Sequence, residues 1–555
     1  MDYVDVIIKC SGDFNDILKK YNIKGEDLSE GFGVVVIPYG RLGELAYDSQ
    51  VEYLEPARNL EYMLESAADE SCITSVREGI DGYEGLEGQG VILGVIDSGI
   101  DFAHKDFLDE QGNSRILYIW DLSDESERLS GSLNTGREYN NAEINEILRA
   151  ADGSLSSADP LGHGTAVAGA MGGNGAESGG RFVGAAPKGE FVFVKLGISR
   201  PIVTVDIMRG INYIARKSRE LSMPAVINIS YGTSNGSHKG SSLFEAYINS
   251  VADTGMLVIA AAAGNEGDAA HHFRGKAQNG ENLEVKFNVS SELAYVYLSL
   301  WKDFVDKVNY ELVSPTGEVS ETVKYDEAYF RGQVSGVRVG VDIGRPSPYS
   351  FRQEVFIFLG NANGTEALPQ GQWTLRMTGV DVVNGFFDVW LPTNAISGEE
   401  TFFYGSDREI TVTLPGTAIK ALTVGAFNGE TGEAADFSGI GFNADDVVKP
   451  DILALGVGVV APKSGGGYDS YSGTSLASPI AAGAAALLIE WGVLRGNDPF
   501  MYGQRLKAFL RMGAIRDEGR AYPNSRYGYG RLCLKNSIEE AARYERFDLS
   551  IVFGE

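Results

Sequence analysis

Four short stretches carry side chains whose types could do chemistry together. VILGVIDSGID ends an apolar run on Asp97, and DPLGHGTAVAGAMGG sets His163 between glycines at the start of a small-residue helix. MLVIAAAAGNEG puts Asn265 just past another apolar run, and YSGTSLASPIAAGAAALL puts Ser475 at the mouth of a helix. Taken singly, each has an ordinary structural explanation: a turn aspartate, a cap or core histidine, a left-handed turn asparagine, an N-cap serine. Taken together they are a carboxylate, an imidazole, an amide and a hydroxyl, each at a strand end or helix start. A hydroxyl attacks a peptide carbonyl only if a base takes its proton during attack. Neutral imidazole, titrating near roughly pH 6.5, can do this and return the proton to the leaving amine. A carboxylate can fix the imidazole tautomer, and an amide can donate to the developing oxyanion.

These groups need a scaffold that brings them to one edge. From about Gly90, VILGVIDSG, FVFVKLG, AVINISYG and MLVIAAAAGN are short apolar runs ending in Gly or a polar turn, and TVDIMRGINYIARKSREL between them is helix-compatible. Strands buried on both faces and alternating with helices predict a parallel sheet in a layered α/β domain, with chemistry at the carboxyl ends of its strands. Ahead of it, VDVIIKC, DFNDILKKYN, GFGVVVIPYG, RLGELAYDS and VEYLEP predict a small β-α-β-α-β unit ending near Pro56. Between about Asp268 and Leu414 the texture becomes aromatic, β-branched and alternating, as in LAYVYLSLW, EVFIFLG and QWTLRMTGV. About eight strands without helices predict an antiparallel sandwich or jelly roll. The α/β pattern resumes at ALTVGAF, so this block is an insertion. Its Trp301, Trp373 and Trp390 fall at alternating positions that suit a core; stacking on carbohydrate is the competing reading.

Composition narrows the classes. With 43% hydrophobic and 22% charged residues the chain is globular, and no run approaches the roughly 18 to 20 apolar residues of a bilayer span. A formal charge of −29 argues against nucleic acid and anionic membranes as partners. The opening MDYVDVIIKCSGD is acidic where a secretory signal would be basic, so export by that route is not expected. Cys10, Cys72 and Cys533 are odd in number and far apart, which reads as separate buried thiols with no disulfide framework.

IDSGID, GHGTAVAG, AAAGNEG and GTSLASP, in the order Asp, His, Asn, Ser, resemble the four signature blocks of the subtilisin-like serine proteases. The resemblance covers about 90–267 and 416–545 and implies a subtilisin-like parallel sheet flanked by helices. It implies Ser475 as nucleophile, His163 as general base and then acid, Asp97 as the carboxylate that orients it, and Asn265 as an oxyanion-hole donor. INISYGTS resembles the strand that lines the family's S1 pocket, which implies that Ser230, Tyr231 and Gly232 bind extended peptide through their backbone. The N-terminal unit resembles the family's propeptide, an intramolecular chaperone and inhibitor, with a processing bond somewhere in ARNLEYMLES. Two departures stand out. Ala166 replaces a second histidine common in the His block, and GGNGAESGGRFVGAAP lacks the spacing of the common calcium loop. No metal or other cofactor is therefore expected, calcium being left open without support.

The propeptide-like unit without a signal, the ESCITSVRE stretch and the β insertion are similar to the Csp proteases of clostridial spores. That similarity implies an intracellular or spore-associated endopeptidase that activates a cortex-lytic prohydrolase in germination, and a jelly roll packed on the catalytic domain. The expected division is an α+β prodomain at 1–63, a catalytic domain at 64–267 and 416–555, and an inserted antiparallel β jelly roll or sandwich at 268–415. Expected partners are a protein substrate and the chain's own prodomain, with no nucleic acid, no membrane and a monomeric state. The alternative class is a pseudoprotease acting as sensor or scaffold; the presence of Asp97, His163 and Ser475 argues against it.

Overall fold

The strand Ile92–Asp97 is buried at all six positions, and it lies inside an eight-stranded sheet. The computed structural model describes residues 3–57, 59–62, 71–79, 85–124, 136–150, 159–197, 202–346, 348–361, 366–443 and 447–545. The sheet order is Ile452–Val457, Leu422–Asn428, Leu257–Ala262, Ala225–Ile229, Ile92–Asp97, Glu190–Lys195, Ile116–Asp121 and Arg137–Asn140. Every neighbouring pair is parallel except the last. Strands covered on both faces have no polar side to show, which is why they read as continuous apolar runs. Helices His163–Gly172, Thr474–Ile489, Gly503–Met512 and Leu534–Glu545 cover one face; Thr204–Leu221 and Leu243–Val251 cover the other. With its continuation to Leu494, the helix that begins at Thr474 is long and apolar enough to cross a membrane, but it is a central helix buried against the sheet.

The N-terminal unit is a four-stranded antiparallel sheet, ordered Lys24–Asp27, Phe32–Pro38, Tyr3–Cys10 and Val51–Pro56. Lys24–Asp27 was not expected from the sequence: KGED has no apolar alternation, and pairing with Phe32–Pro38 makes it a strand. One face of the sheet sets Ile7, Phe32 and Val34 in the same core as helices Thr204–Leu221 and Leu243–Val251, with Phe32 edge-on to Tyr247 at 5.5 Å. Two charges reinforce this docking. Arg209 donates to Glu26 at 3.0 Å, and the backbone N–H of Leu243, at a helix N-terminus, donates to Glu55 at 3.0 Å.

Residues 272–403 hold two antiparallel sheets, of six and four strands, facing each other across a core that includes Leu298, Ile357, Trp373 and Leu375. A short helix, Asn394–Ser397, interrupts the all-strand pattern. Trp373 is in that core, and Trp390 is stacked between His238 and His272 at ring distances of 4.1 and 4.8 Å. His238 belongs to the α/β part, so this stack joins the sandwich to it. Trp301 is only partly buried and donates to Ser299 at 3.0 Å.

The cysteine expectation needs correction. Cys10 is a free buried thiol, but Cys72 and Cys533 are disulfide-bonded, with Cα atoms 4.8 Å apart. Helix Ile73–Glu78 packs against helix Leu534–Glu545 and brings together residues separated by 461 positions, a proximity that spacing along the chain cannot reveal. Such a bond stabilises mainly by restricting the unfolded chain, by about 2–4 kcal/mol. Cys533→Ser is expected to lower Tm by several degrees in calorimetry, and a reductant should bring the wild type to the variant's Tm. Three alkylatable thiols in the denatured, unreduced wild type would sink the assignment.

Candidate active site

Asp97 closes its strand with a carboxylate that has no exposure to solvent. A buried carboxylate must be met by donors. Its Oδ1 accepts from Ser98 N at 2.7 Å and from His163 Nδ1 at 2.6 Å. This closeness depends on Gly164, because a Cβ there would stand 2.1 Å from the Gly99 carbonyl oxygen and 3.0 Å from Asp97 Cβ. The start of the His163 helix is held by a second carboxylate. Ser98 Oγ donates to Asp159 at 2.7 Å and accepts from Gly164 N at 3.1 Å, while Asp159 accepts from Thr165 N at 2.8 Å. Sequence reasoning missed Asp159 and Ser98. The aspartate at the head of DPLGHG, just ahead of a helix start, was the available signal.

Ser475 is the second residue of helix Thr474–Ile489, and Pro479 lies four residues on. Proline has no N–H, so the Ser475 carbonyl loses its helical donor. Ser230 replaces it: its hydroxyl donates to that carbonyl at 2.9 Å and accepts from Asn228 Nδ2 at 2.9 Å. Ser478 donates to the other end of the Asn228 amide at 2.7 Å. The residue expected to offer only backbone to a substrate thus also braces the serine through its side chain. Tyr231 meets the His163 ring edge-on at 6.0 Å.

Asn265 follows strand Leu257–Ala262 and has its Oδ1 fixed by Thr474 N at 3.0 Å and Thr474 Oγ1 at 2.9 Å. The same hydroxyl accepts from Gly264 N at 3.1 Å. With the oxygen end occupied, the nitrogen end of the amide is left to donate. Thr474 was in view in GTSLASP but was not singled out. Its role appears only when strand end and helix start are adjacent.

Strand Tyr231–Gly232 pairs antiparallel with Asn59–Tyr62, Tyr62 opposite Tyr231 and Glu61 opposite Gly232. Asn59–Tyr62 pairs on its other side with Ile202–Val203, so the segment after the N-terminal unit lies as the central strand of three. It runs toward Ser230, and hence toward Ser475. The part of ARNLEYMLES from Met63 onward lies outside the described residues.

Among the described residues no group of three or more His, Cys, Asp or Glu is placed to hold a metal. In the expected calcium-loop region, the Asp106 carboxylate accepts from Tyr468 Oη at 2.8 and 2.9 Å and from Glu177 N at 3.1 Å. These oxygens are taken by donors of the protein itself.

Known proteins share the fold and the family pattern of this chain. A profile of the subtilase family matches residues 88–294 and 395–530, and a Csp protease B prodomain profile matches residues 2–56. The chain belongs to the subtilase family of serine endopeptidases. Within it, the prodomain match and the solved CspB protease of Clostridium perfringens define the Csp subgroup. That structure is 34% identical, with a TM-score of 0.76, over 85% of this chain and 97% of its own. The serine protease AprX of Bacillus subtilis is 30% identical over 154 residues, 24% of this chain. The minor extracellular protease Vpr of the same species is 35% identical over 128 residues, 21% of this chain. The chain spans only 33% and 15% of the lengths of these two relatives. The epidermin leader peptide processing protease of Staphylococcus aureus shares the fold at 14% identity, with a TM-score of 0.51, over 98% of this chain and 99% of its own.

Thr474→Val keeps the shape of the side chain and the Thr474 N–H but removes the hydroxyl shared by Gly264 and Asn265. Leaving a buried N–H without its acceptor costs about 1–3 kcal/mol. The expected result is roughly tenfold slower fluorophosphonate labelling of Ser475 in folded protein, and a labelling rate equal to wild type would show that the hydroxyl does not order the site.

Proposed function

We propose that the protein cuts peptide bonds through Ser475, His163 and Asp97 by way of an acyl-enzyme, and that its first substrate is its own chain just beyond the prodomain. The observation that carries this reading is the strand Asn59–Tyr62, which is paired in the cleft and directed at Ser475. A peptide held between two strands has its backbone fixed and its next residues delivered to the helix mouth, where N–H groups and the helix dipole favour an oxyanion.

Each step rests on a side chain with a defined position. His163, its Nδ1 committed to Asp97, presents Nε2 as the base that takes the Ser475 proton and passes it to the leaving amine. Asp97 stays ionised and stabilises the imidazolium. Asn265 and the Ser475 N–H donate to the tetrahedral oxyanion, and water then hydrolyses the acyl-enzyme with His163 again as base. Ser230, Tyr231 and Gly232 hold the peptide that enters. We read the scissile bond as lying within the first few residues after Tyr62.

The resemblance to the Csp proteases carries the reading that the external substrate is a cortex-lytic prohydrolase activated during spore germination, and the match to the C. perfringens CspB protease supports membership of that subgroup. Sheet orders that alternate strands from early and late in the insertion support a jelly-roll wiring for the sandwich.

Intact-mass measurement of purified wild type beside Ser475→Ala tests the reading. The wild type is expected as two fragments, the smaller ending shortly after Tyr62, and the variant as one chain. Identical fragments from the variant would refute self-processing. Asn265→Ala is expected to lower kcat by about 10²–10³ with little change in KM. Loss confined to KM would remove Asn265 from the oxyanion hole.

A further inference from the structure

Glu266, the residue after Asn265, is a buried acid directed away from the triad. Its carboxylate accepts from the backbone N–H of Asn394 at 3.1 and 3.2 Å and from His271 Nδ1 at 2.8 Å. The other ring nitrogen of His271 lies 2.7 Å from the Thr401 carbonyl oxygen. Both ring nitrogens therefore lie within hydrogen-bond reach of an oxygen, one on Glu266 and one on the Thr401 backbone, so the ring bridges the two. The side chains of Glu266 and His271 are only 5% and 1% exposed, where a charge persists only with a partner.

Glu266 ends one side of this contact; His271, Asn394 and Thr401 all belong to the insertion. Its first residues and its last thus converge on the position after the oxyanion asparagine. Gly267 is held from both parts, its N–H donating to Phe437 O of the α/β part at 2.8 Å and its carbonyl accepting from Arg408 Nε of the insertion at 3.2 Å. On the other side, Thr474 fixes the Asn265 amide and Gly439 N donates to Gly264 O at 2.7 Å. The segment Gly264–Gly267 is therefore clamped between the catalytic core and the sandwich. We infer that Glu266 and His271 are positioning residues through which the inserted sandwich holds Asn265 in register for the oxyanion.

This inference rests on the oxyanion role of Asn265 proposed above, and the experiment separates the two. Steady-state kinetics on one chromogenic peptide, with active enzyme counted by fluorophosphonate titration, would compare Glu266→Ala, Glu266→Gln and His271→Ala, each alone and combined with Asn265→Ala. Gln keeps an acceptor for Asn394 N–H and offers an N–H to His271 Nδ1, so it preserves the clamp without the charge.

The expected results are a tenfold loss of kcat with unchanged KM for Glu266→Ala and for His271→Ala, and recovery to within twofold of wild type for Glu266→Gln. In the Asn265→Ala background, Glu266→Ala should cost less than a further twofold, because residues acting through one group are not additive. Full additivity in that background would overturn the inference while leaving the oxyanion role intact. So would a loss in Glu266→Gln equal to that in Glu266→Ala, which would mark a charge acting on substrate. If Asn265→Ala itself leaves kcat unchanged, the proposed role of Asn265 fails first, and this inference with it.

Discussion

A carboxylate with no access to water sits at the end of the central strand, and much of the architecture answers to it. One oxygen of Asp97, Oδ1, takes both Ser98 N and His163 Nδ1, which offsets part of the cost of burying the carboxylate. To bring His163 that close, a helix must start against the strand end, which requires Gly164 and an anchored helix N-terminus. Asp159 supplies the anchor, itself held by Ser98. The buried pair thus determines which residues around it can be large, which must be small and where two further polar groups are needed.

The serine is held by a comparable substitution. Pro479 removes one helical hydrogen bond, and the vacancy falls on the carbonyl of Ser475. Because Ser230 fills it, the Ser475 backbone is tied to the residue leading into strand Tyr231–Gly232, and the bonds continue through Asn228 to Ser478 on the same helix. The strand that pairs with Asn59–Tyr62 and the helix that carries Ser475 therefore share one bonded frame. The asparagine is tied to that frame through Thr474, the residue immediately before the serine.

How much of this the sequence revealed follows from the range of each interaction. The parallel strands were legible because double burial leaves an unbroken apolar run, and helix Thr204–Leu221 coincides with the stretch TVDIMRGINYIARKSREL because its periodicity is local. The four site positions were legible as blocks. Lys24–Asp27 was not, since its strand character comes wholly from its neighbour. Neither was the Cys72–Cys533 bond, which depends on two helices meeting after the whole fold has formed. Ser98, Asp159 and Thr474 escaped because serine, aspartate and threonine near turns are commonplace, and only distances to residues remote in sequence give them roles. Glu266 was quoted inside AAAGNEG, yet its partners lie in the insertion, up to 128 positions away.

The prodomain is attached at two places that differ in kind. Its sheet is docked on the outer helices by Phe32 against Tyr247, by Glu26 against Arg209 and by Glu55 against the N–H of Leu243. Burial raises the pKa of Glu26 and Arg209 opposes that rise, so the acid is held as one half of a desolvated pair. The tail, by contrast, is seen among the described residues as the short strand Asn59–Tyr62, held by backbone pairing on both sides. A cut beyond Tyr62 would break none of the docking contacts and would release the tail at one end only. Access for any second peptide is then governed by how readily four residues unpair from Tyr231–Gly232 and Ile202–Val203. The pairing of this strand and the docking of the sheet use different residues, so the two attachments are distinct in the fold.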